Sequence, residues 1–398
     1  MAIPKNCNIL IIGGGVIGLT IARALKLKGV EDIVVIEKEE MIGKHASGRN
    51  SGVMHAGIYY QHDSLKAKYC REGSKLMQAY CHEHGLKVLK TGKAVVAKNE
   101  SELNTIKSLY ERSKQNGANV SIIDEKNLTD AEPEAKTFEK ALWSHDTAVI
   151  DPKAVMAKLG EELLGLGVMV VKSCWFLGVN NPHQILTSQG KIHVKYVINA
   201  AGSYADKVAH AFDVGKSYTL LPFKGVYQKC QAGSAASRIK GNVYPVPDLR
   251  NPFLGVHFTK SADGDVYIGP TAIPCFGREN YHGLKGMGTE TFNILSGSMK
   301  LFVKNEGFRH VALTEPKKYL SYCLYRDAKK LVQHLDYKDL CKSHKVGIRS
   351  QLVHWPTNSL VMDFLIEKGA HSLHVLNAVS PAFTCSMSMA QEIASSIT

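Results

Sequence analysis

The stretch NILIIGGGVIG, residues 8–18, decides how the rest of the chain is read. Residues 8–12 form a short apolar run, the pattern of a strand covered on both faces in a parallel sheet. The run VIGLTIARALKLKG follows; Ile17, Ile21, Leu25 and Leu27 mostly share one helical face, and Gly29 is placed to end the helix. IVVIE, residues 33–37, is a second buried strand, which completes a β-α-β unit. At the first strand-to-helix junction stands Gly13-x-Gly15-x-x-Gly18. Gly13 permits the tight turn, Gly15 lets backbone approach a pyrophosphate, and Gly18 lets helix and strand pack closely. The helix start offers amide donors and the positive end of its dipole to phosphate. Glu37 lies nineteen residues beyond Gly18 and can accept hydrogen bonds from a ribose diol.

Two later segments favour FAD over NAD. After Glu37 the chain enters GRNSGVMHAG, residues 48–57, a loop of small residues with no hydrophobic period and one imidazole, instead of another β-α repeat. Far downstream, YVINAAGSYAD (196–206) is an apolar strand ending in Ala-Ala-Gly, small enough to pass close under a bound dinucleotide. Such a domain is discontinuous in sequence.

The 398 residues provide for two domains. No apolar run reaches 18 residues, and MAIPKNCNILIIGGG lacks the form of a signal peptide, so the reading is cytoplasmic. Nine cysteines without a CxxC pair point to reduced thiols and no metal site. The net charge is +13, and residues 299–345 hold eleven Lys or Arg against five Asp or Glu. No nucleic-acid-binding motif accompanies that charge, which leaves a solvated helical face, steering of an anionic substrate, or peripheral contact with an anionic inner-membrane surface. Within it KLFVKNEGFRHVAL reads as a basic amphipathic helix broken at Gly307.

Periodicity predicts further helices: Ser64 to His84, Ser101 (as N-cap) to about Asn116, and a helix with Pro152 in its first turn that ends at Gly167. Residues 175–198 read as a β-meander and 218–275 as mixed strands. Residues 290–342 read as helical, and the chain closes with a strand at 374–379 and a helix from about Thr384.

IIGGGVIG, GRNSGVMHAGIYY, SLKAKYC, LPFKGVY, YPVPD, NPFLGVHFT, VYIGPTA, VGIRSQ and NAVSPAFTCS together resemble the D-amino-acid-oxidase-type FAD-dependent oxidoreductases, and within them the L-2-hydroxyglutarate dehydrogenase/oxidase family. The resemblance implies an α/β and α+β architecture. A discontinuous, Rossmann-like, GR2-type FAD-binding domain would take residues 1–86, 145–215 and 346–398; a mixed-sheet substrate domain would take 87–144 and 216–345. It implies a small anionic dicarboxylate as substrate, oxidised by hydride transfer to flavin N5 with a histidine as base, and quinone or oxygen as final acceptor. A glycine- or sarcosine-oxidase-type activity on amines is the alternative. The cofactor residues it implies are Gly13, Gly15, Val16, Ile17, Gly18, Glu37, Lys38, Ser47, Arg49, Asn50, Ser51, Gly52, Phe176, Ala201, Gly202, Pro381, Ala382, Phe383 and Thr384. Ala382 to Thr384 would offer helix-start amides to the flavin carbonyl. His55 and His257 are rival bases, since imidazole titrates near neutrality. Phe253, Gly255, His257 and Thr259 alternate as one face of a strand. Arg349 matches a carboxylate-binding arginine. Lys224 stands where relatives carry Arg, and Tyr244 lines the pocket. HWPTNSLVMDF departs from the Asp-Gly turn of relatives.

Overall fold

The computed structural model describes residues 2–248 and 253–397; Asn251 and Pro252 of the NPFLGVHFT segment lie outside the described residues. The chain divides into two compact units, residues 1–50, 152–222 and 349–398 in the first, and 51–151 and 223–348 in the second. This division differs from the sequence reading at 51–86, 145–151, 216–222 and 346–348. Strand Val53–Met54 pairs with Ala148–Ile150, which also pairs with Val88–Lys90, so a small three-stranded sheet holds the first two of these segments in the second unit.

In the first unit, Asn6–Ile12 is a central strand of an eight-stranded sheet. It runs parallel to Ile33–Ile36 on one side and to Gly190–Asn199 on the other, with Ile12 opposite both Ile36 and Asn199. Three strand ends are therefore level where the glycine turn begins. All four residues of Ile33–Ile36 are buried, as a strand covered on both faces requires. Met169–Val171 extends the sheet beyond Ile33–Ile36, while Phe176–Asn181, Gln184–Thr187 and Gly190–Asn199 form the expected meander. Ser372–Asn377 adds in parallel to Gly190–Asn199. Helix Val16–Leu27 packs against the last helix, Ala382–Ser395, where Thr20 Oγ1 donates to the Ser386 carbonyl at 3.2 Å. It also packs against Pro152–Gly165, through an Arg23–Glu162 ion pair at 2.8 Å.

The larger sheet contains Lys93–Val96, Val120–Asp124, Lys140–Ser144, Asn242–Pro245, His257–Lys260 and Val266–Gly269 from the second unit. Strands Tyr218–Cys230 and Leu340–His354 also belong to it, and the chain passes between units within each. Lys93–Val96 runs parallel to Asn242–Pro245 and antiparallel to Lys140–Ser144. Helix Leu65–Glu83 starts as expected at Ser64, whose hydroxyl accepts from the Ala67 amide at 3.1 Å.

Four local expectations are corrected. Ser101 is not a cap: it lies inside a 3-10 turn, Glu100–Glu102, and its hydroxyl donates to Asn99 Oδ1. The basic helix breaks at Asn305, not Gly307, because the Asn305 side chain caps Glu306–Thr314 by accepting from the Phe308 amide at 2.8 Å. The helical region ends at Asp339, and Leu340–His354 is a strand. The strand at His257 begins there, so Phe253 and Gly255 belong to the preceding loop. In HWPTNSLVMDF, a hairpin joins His354 to Ser359, with Asn358 at φ 51° doing what glycine does in an Asp-Gly turn. All nine cysteines are thiols. Among the described residues no helix is long and apolar enough to cross a membrane.

Candidate active site

The first unit carries the glycine turn. Gly13 donates to the Ile36 carbonyl and Ala200 donates to the Ile12 carbonyl, both at 2.9 Å, so the turn is tied to the two flanking strand ends. Gly13 has φ 116°, and a Cβ there would lie 2.4 Å from the Ala200 carbonyl oxygen. A Cβ on Gly18 would lie 2.0 Å from the Gly13 carbonyl oxygen. Only glycine fits either position, which is the cradle that close approach of a pyrophosphate requires.

The loop after the second strand folds back over this turn. Gly43 donates to the Gly14 carbonyl at 3.1 Å, and Ser47 Oγ accepts from the Val16 amide at 2.9 Å. The Ser47 hydroxyl thereby caps the helix start, with its own hydrogen still a donor. Glu37 accepts from the Gly14 amide through one carboxylate oxygen and from the Glu39 amide through the other, each at 2.9 Å. It fastens the turn as well as presenting lone pairs. Truncation by Glu37→Ala strands both amides and is expected to cost about 2–4 kcal/mol. The urea midpoint should drop at unchanged slope, and an unmoved midpoint refutes the role.

Other expected cofactor residues are placed as follows. Lys38 Nζ is 3.0 Å from His45 Nε2 and 5.4 Å from the centre of the Tyr204 ring. Arg49 Nε donates to the Lys44 carbonyl, and Asn50 Nδ2 to the Ser47 carbonyl. The buried Asn199 accepts from the Ala201 amide at 3.1 Å and donates to the Ala205 carbonyl at 2.7 Å, which shapes the Ala-Ala-Gly turn; Gly202 has φ 56°. Phe176 stacks on Phe212 in the edge strand, three strand positions from Asn6–Ile12. The last helix begins at Ala382 after Pro381, and the Ala382 amide already donates to the Val379 carbonyl at 2.9 Å. Arg349 Nη2 donates to Gln351 Oε1 at 3.1 Å, and the next residue, Ser350, bonds Ser203 at 2.7 Å.

The second unit gathers the histidines. Ser51 and Gly52 lead into Val53–Met54, with Gly52 at φ 78° and its carbonyl accepting from Ile150 at 3.0 Å. His55 follows, its carbonyl accepting from the Cys70 thiol. His257 Nδ1 is 2.7 Å from the Gly255 carbonyl oxygen, which only accepts. Nδ1 therefore carries the proton and the lone pair sits on Nε2, the arrangement of a base. The His257 ring stacks on Tyr244, 3.8 Å between centres and 18° apart in plane. Both histidines and Tyr244 are buried. Burial pushes the His257 imidazole down to about 4, with the Gly255 bond opposing and Lys93 reinforcing. Burial first, then Lys93 and His257, hold His55 well below the usual histidine range.

Sequence reasoning missed Lys93 and Tyr59. Lys93 is wholly buried, 4.7 Å from the Tyr59 ring centre and 5.0 Å from that of Tyr244. Among the described residues, neither Lys93 Nζ nor the Tyr59 hydroxyl has a hydrogen-bond partner. The signal was present: Lys93 alternates with Val95 and Ala97, both in the apolar cluster that holds Tyr59 and Tyr244. Lys224 is buried as well; it donates to Asn280 Oδ1 at 3.0 Å and is pushed down by burial.

A glycine cradle at the end of a parallel β-α-β unit defines an α/β dinucleotide-binding protein. The sequence model of the DAO family, FAD dependent oxidoreductases, matches residues 8–396. The chain belongs to that family, and its cofactor is FAD. It is similar to mitochondrial L-2-hydroxyglutarate dehydrogenase of Homo sapiens, at 31% identity over 100% of this chain and 89% of that one. It is similar to L-2-hydroxyglutarate dehydrogenase of Indibacter alkaliphilus, at 35% identity over 96% of each. Among solved structures, dithionite-reduced L-alpha-glycerophosphate oxidase of Mycoplasma pneumoniae with FAD bound superposes with a TM-score of 0.75. There the identity is 22%, over 98% of this chain and 94% of that one.

Proposed function

We propose that the protein oxidises the C2 alcohol of L-2-hydroxyglutarate, giving 2-oxoglutarate. The observation that carries the chemistry is the buried histidine pair, with the His257 lone pair fixed on Nε2. The full-length relatives named for this substrate support its identity. FAD, when bound, would supply the two-electron acceptor that the oxidation of the C2 alcohol needs, at N5. Gly13, Gly15 and Gly18, with the Ser47 hydroxyl, would hold its pyrophosphate, and Ser51 and Gly52 are further candidates to hold the cofactor. The substrate hydroxyl gives its proton to the imidazole of His257 or His55. Burial disfavours the imidazolium that results, but a dicarboxylate brings two negative charges that raise the proton affinity of both rings. Arg349, which donates to Gln351 Oε1, and Lys224, which donates to Asn280 Oδ1, supply charge for those carboxylates. Anaerobic reduction of the purified enzyme by L- and D-2-hydroxyglutarate, followed spectrally, tests the reading. Bleaching by the L-acid is expected; faster bleaching by glycine or sarcosine overturns it in favour of an amine oxidase.

A second reading concerns the route of the electrons. On helix Glu290–Lys304, Phe292, Leu295, Met299 and Val303 form one stripe at helical spacing; Phe292 is 78% and Met299 65% exposed. Lys300 and Lys304 share the helix. Apolar side chains edged by lysine suit the headgroup region of an anionic bilayer, and so a membrane quinone as acceptor. Sedimentation with anionic liposomes at low salt and release at high salt is expected; no binding at low salt removes this reading.

A further inference from the structure

Lys93 takes no direct part in the proposed reaction. It opens strand Lys93–Val96, in register with Asn242 on one side and Ser144 on the other. Its side chain has no exposure, so neither water nor substrate reaches it. Among the described residues its Nζ makes no hydrogen bond, and two aromatic faces, Tyr59 and Tyr244, flank it. A buried ammonium without a counter-ion is a costly thing to keep where methionine would fill the same space. The faces of the two rings offset part of that cost. Tyr244 is also the ring on which His257 stacks. Lys93, Tyr244 and His257 thus form one column, with His55 close enough to feel the lysine charge.

We propose that Lys93 is a positioning residue for the proton-accepting histidines: through Tyr244 it fixes the plane of His257, and its charge keeps His257 and His55 neutral and ready to accept a proton. The inference rests on the reading of those histidines given above. The titratable groups around Lys93 are His55, Tyr59, Cys70, Tyr244 and His257. Burial pushes Lys93 itself down to about 7, with Cys70 opposing. The lysine is therefore charged throughout the range in which the histidines protonate. It loses that charge just above neutrality, when they are already neutral.

The test uses the FAD-loaded enzyme with ring-labelled histidine, titrated by NMR, alongside the pH profile of kcat/KM. Lys93→Met and Lys93→Gln both remove the charge. Each is expected to move the histidine titrations, and the acid limb of kcat/KM, up by about one pH unit. Unaltered enzyme provides a measurement that needs no variant. Its His257 ring signals should shift a second time near pH 7, as Lys93 loses its proton. The proposal is overturned if both variants superimpose on the parent and the parent signals stay flat around neutrality. If L-2-hydroxyglutarate fails to reduce the parent flavin, the proposed reaction falls, while the ring titrations still judge Lys93.

Discussion

Gly13→Ala is expected to purify colourless. Two effects add at this position. The backbone sits at φ 116°, where a non-glycine residue costs about 1–3 kcal/mol. The new methyl carbon would also lie 2.4 Å from the Ala200 carbonyl oxygen. That oxygen belongs to the backbone just beyond strand Gly190–Asn199 and has no side-chain freedom with which to yield. The turn must open, and the cradle with it. A loss of roughly 3 kcal/mol in cofactor binding is about a hundredfold in affinity, enough to strip FAD during chromatography. The control is Gly165→Ala, at the end of helix Pro152–Gly165, where an added Cβ meets nothing within 4 Å. It should stay yellow. A yellow Gly13→Ala protein with the parent flavin content would mean that the turn does not hold the cofactor.

The second large effect is at His257. Asparagine can keep a donor near the Gly255 carbonyl while removing the Nε2 lone pair, so His257→Asn separates base from scaffold. The expected result is a fall of about 10²–10⁴ in kcat, with flavin content retained and KM altered far less. A kcat within threefold of the parent, with His55→Asn carrying the loss, would move the base to His55. The same ring sets an acid limit on stability. Its folded-state pKa of about 4 lies below the ordinary 6.5, so the unfolded chain takes up the proton first. Its contribution is complete above pH 6.5 and is lost as pH falls towards 4; that interval of about 2.5 units corresponds to roughly 3 kcal/mol. His257→Asn should flatten the fall in urea midpoint over this window.

Much of the first unit was legible because glycine spacing and wholly apolar strands are local signals. Gly13, Gly18 and strand Ile33–Ile36 need no distant partner to be recognised. What Glu37 and Ser47 do was not legible. Their partners are the amides of Gly14 and Val16, and that pairing exists only once a loop some thirty residues on folds back over the turn. The break at Asn305 was misread as Gly307, since a side-chain cap outweighs the flexibility of a glycine in the first turn of a helix. The two histidines stood out as candidates by their small-residue and strand settings, although the strand begins only at His257 and leaves Phe253 and Gly255 in the loop before it. Lys93 was passed over because a single lysine at the head of an apolar strand reads as solvated; only the pairing on both sides of Lys93–Val96 shows that it is enclosed.

The first and last helices of the chain pack on each other, Val16–Leu27 against Ala382–Ser395. A ribosome therefore delivers the phosphate-binding turn long before the helix that covers its neighbour. At typical synthesis rates helix Val16–Leu27 waits on the order of 20–70 s without that cover, Thr20 among its residues lacking the Ser386 carbonyl it later donates to. Docking of Ala382–Ser395 is consequently a late step of folding, and loss of even a short carboxy-terminal piece should be more damaging than its distance along the chain from Gly13 suggests.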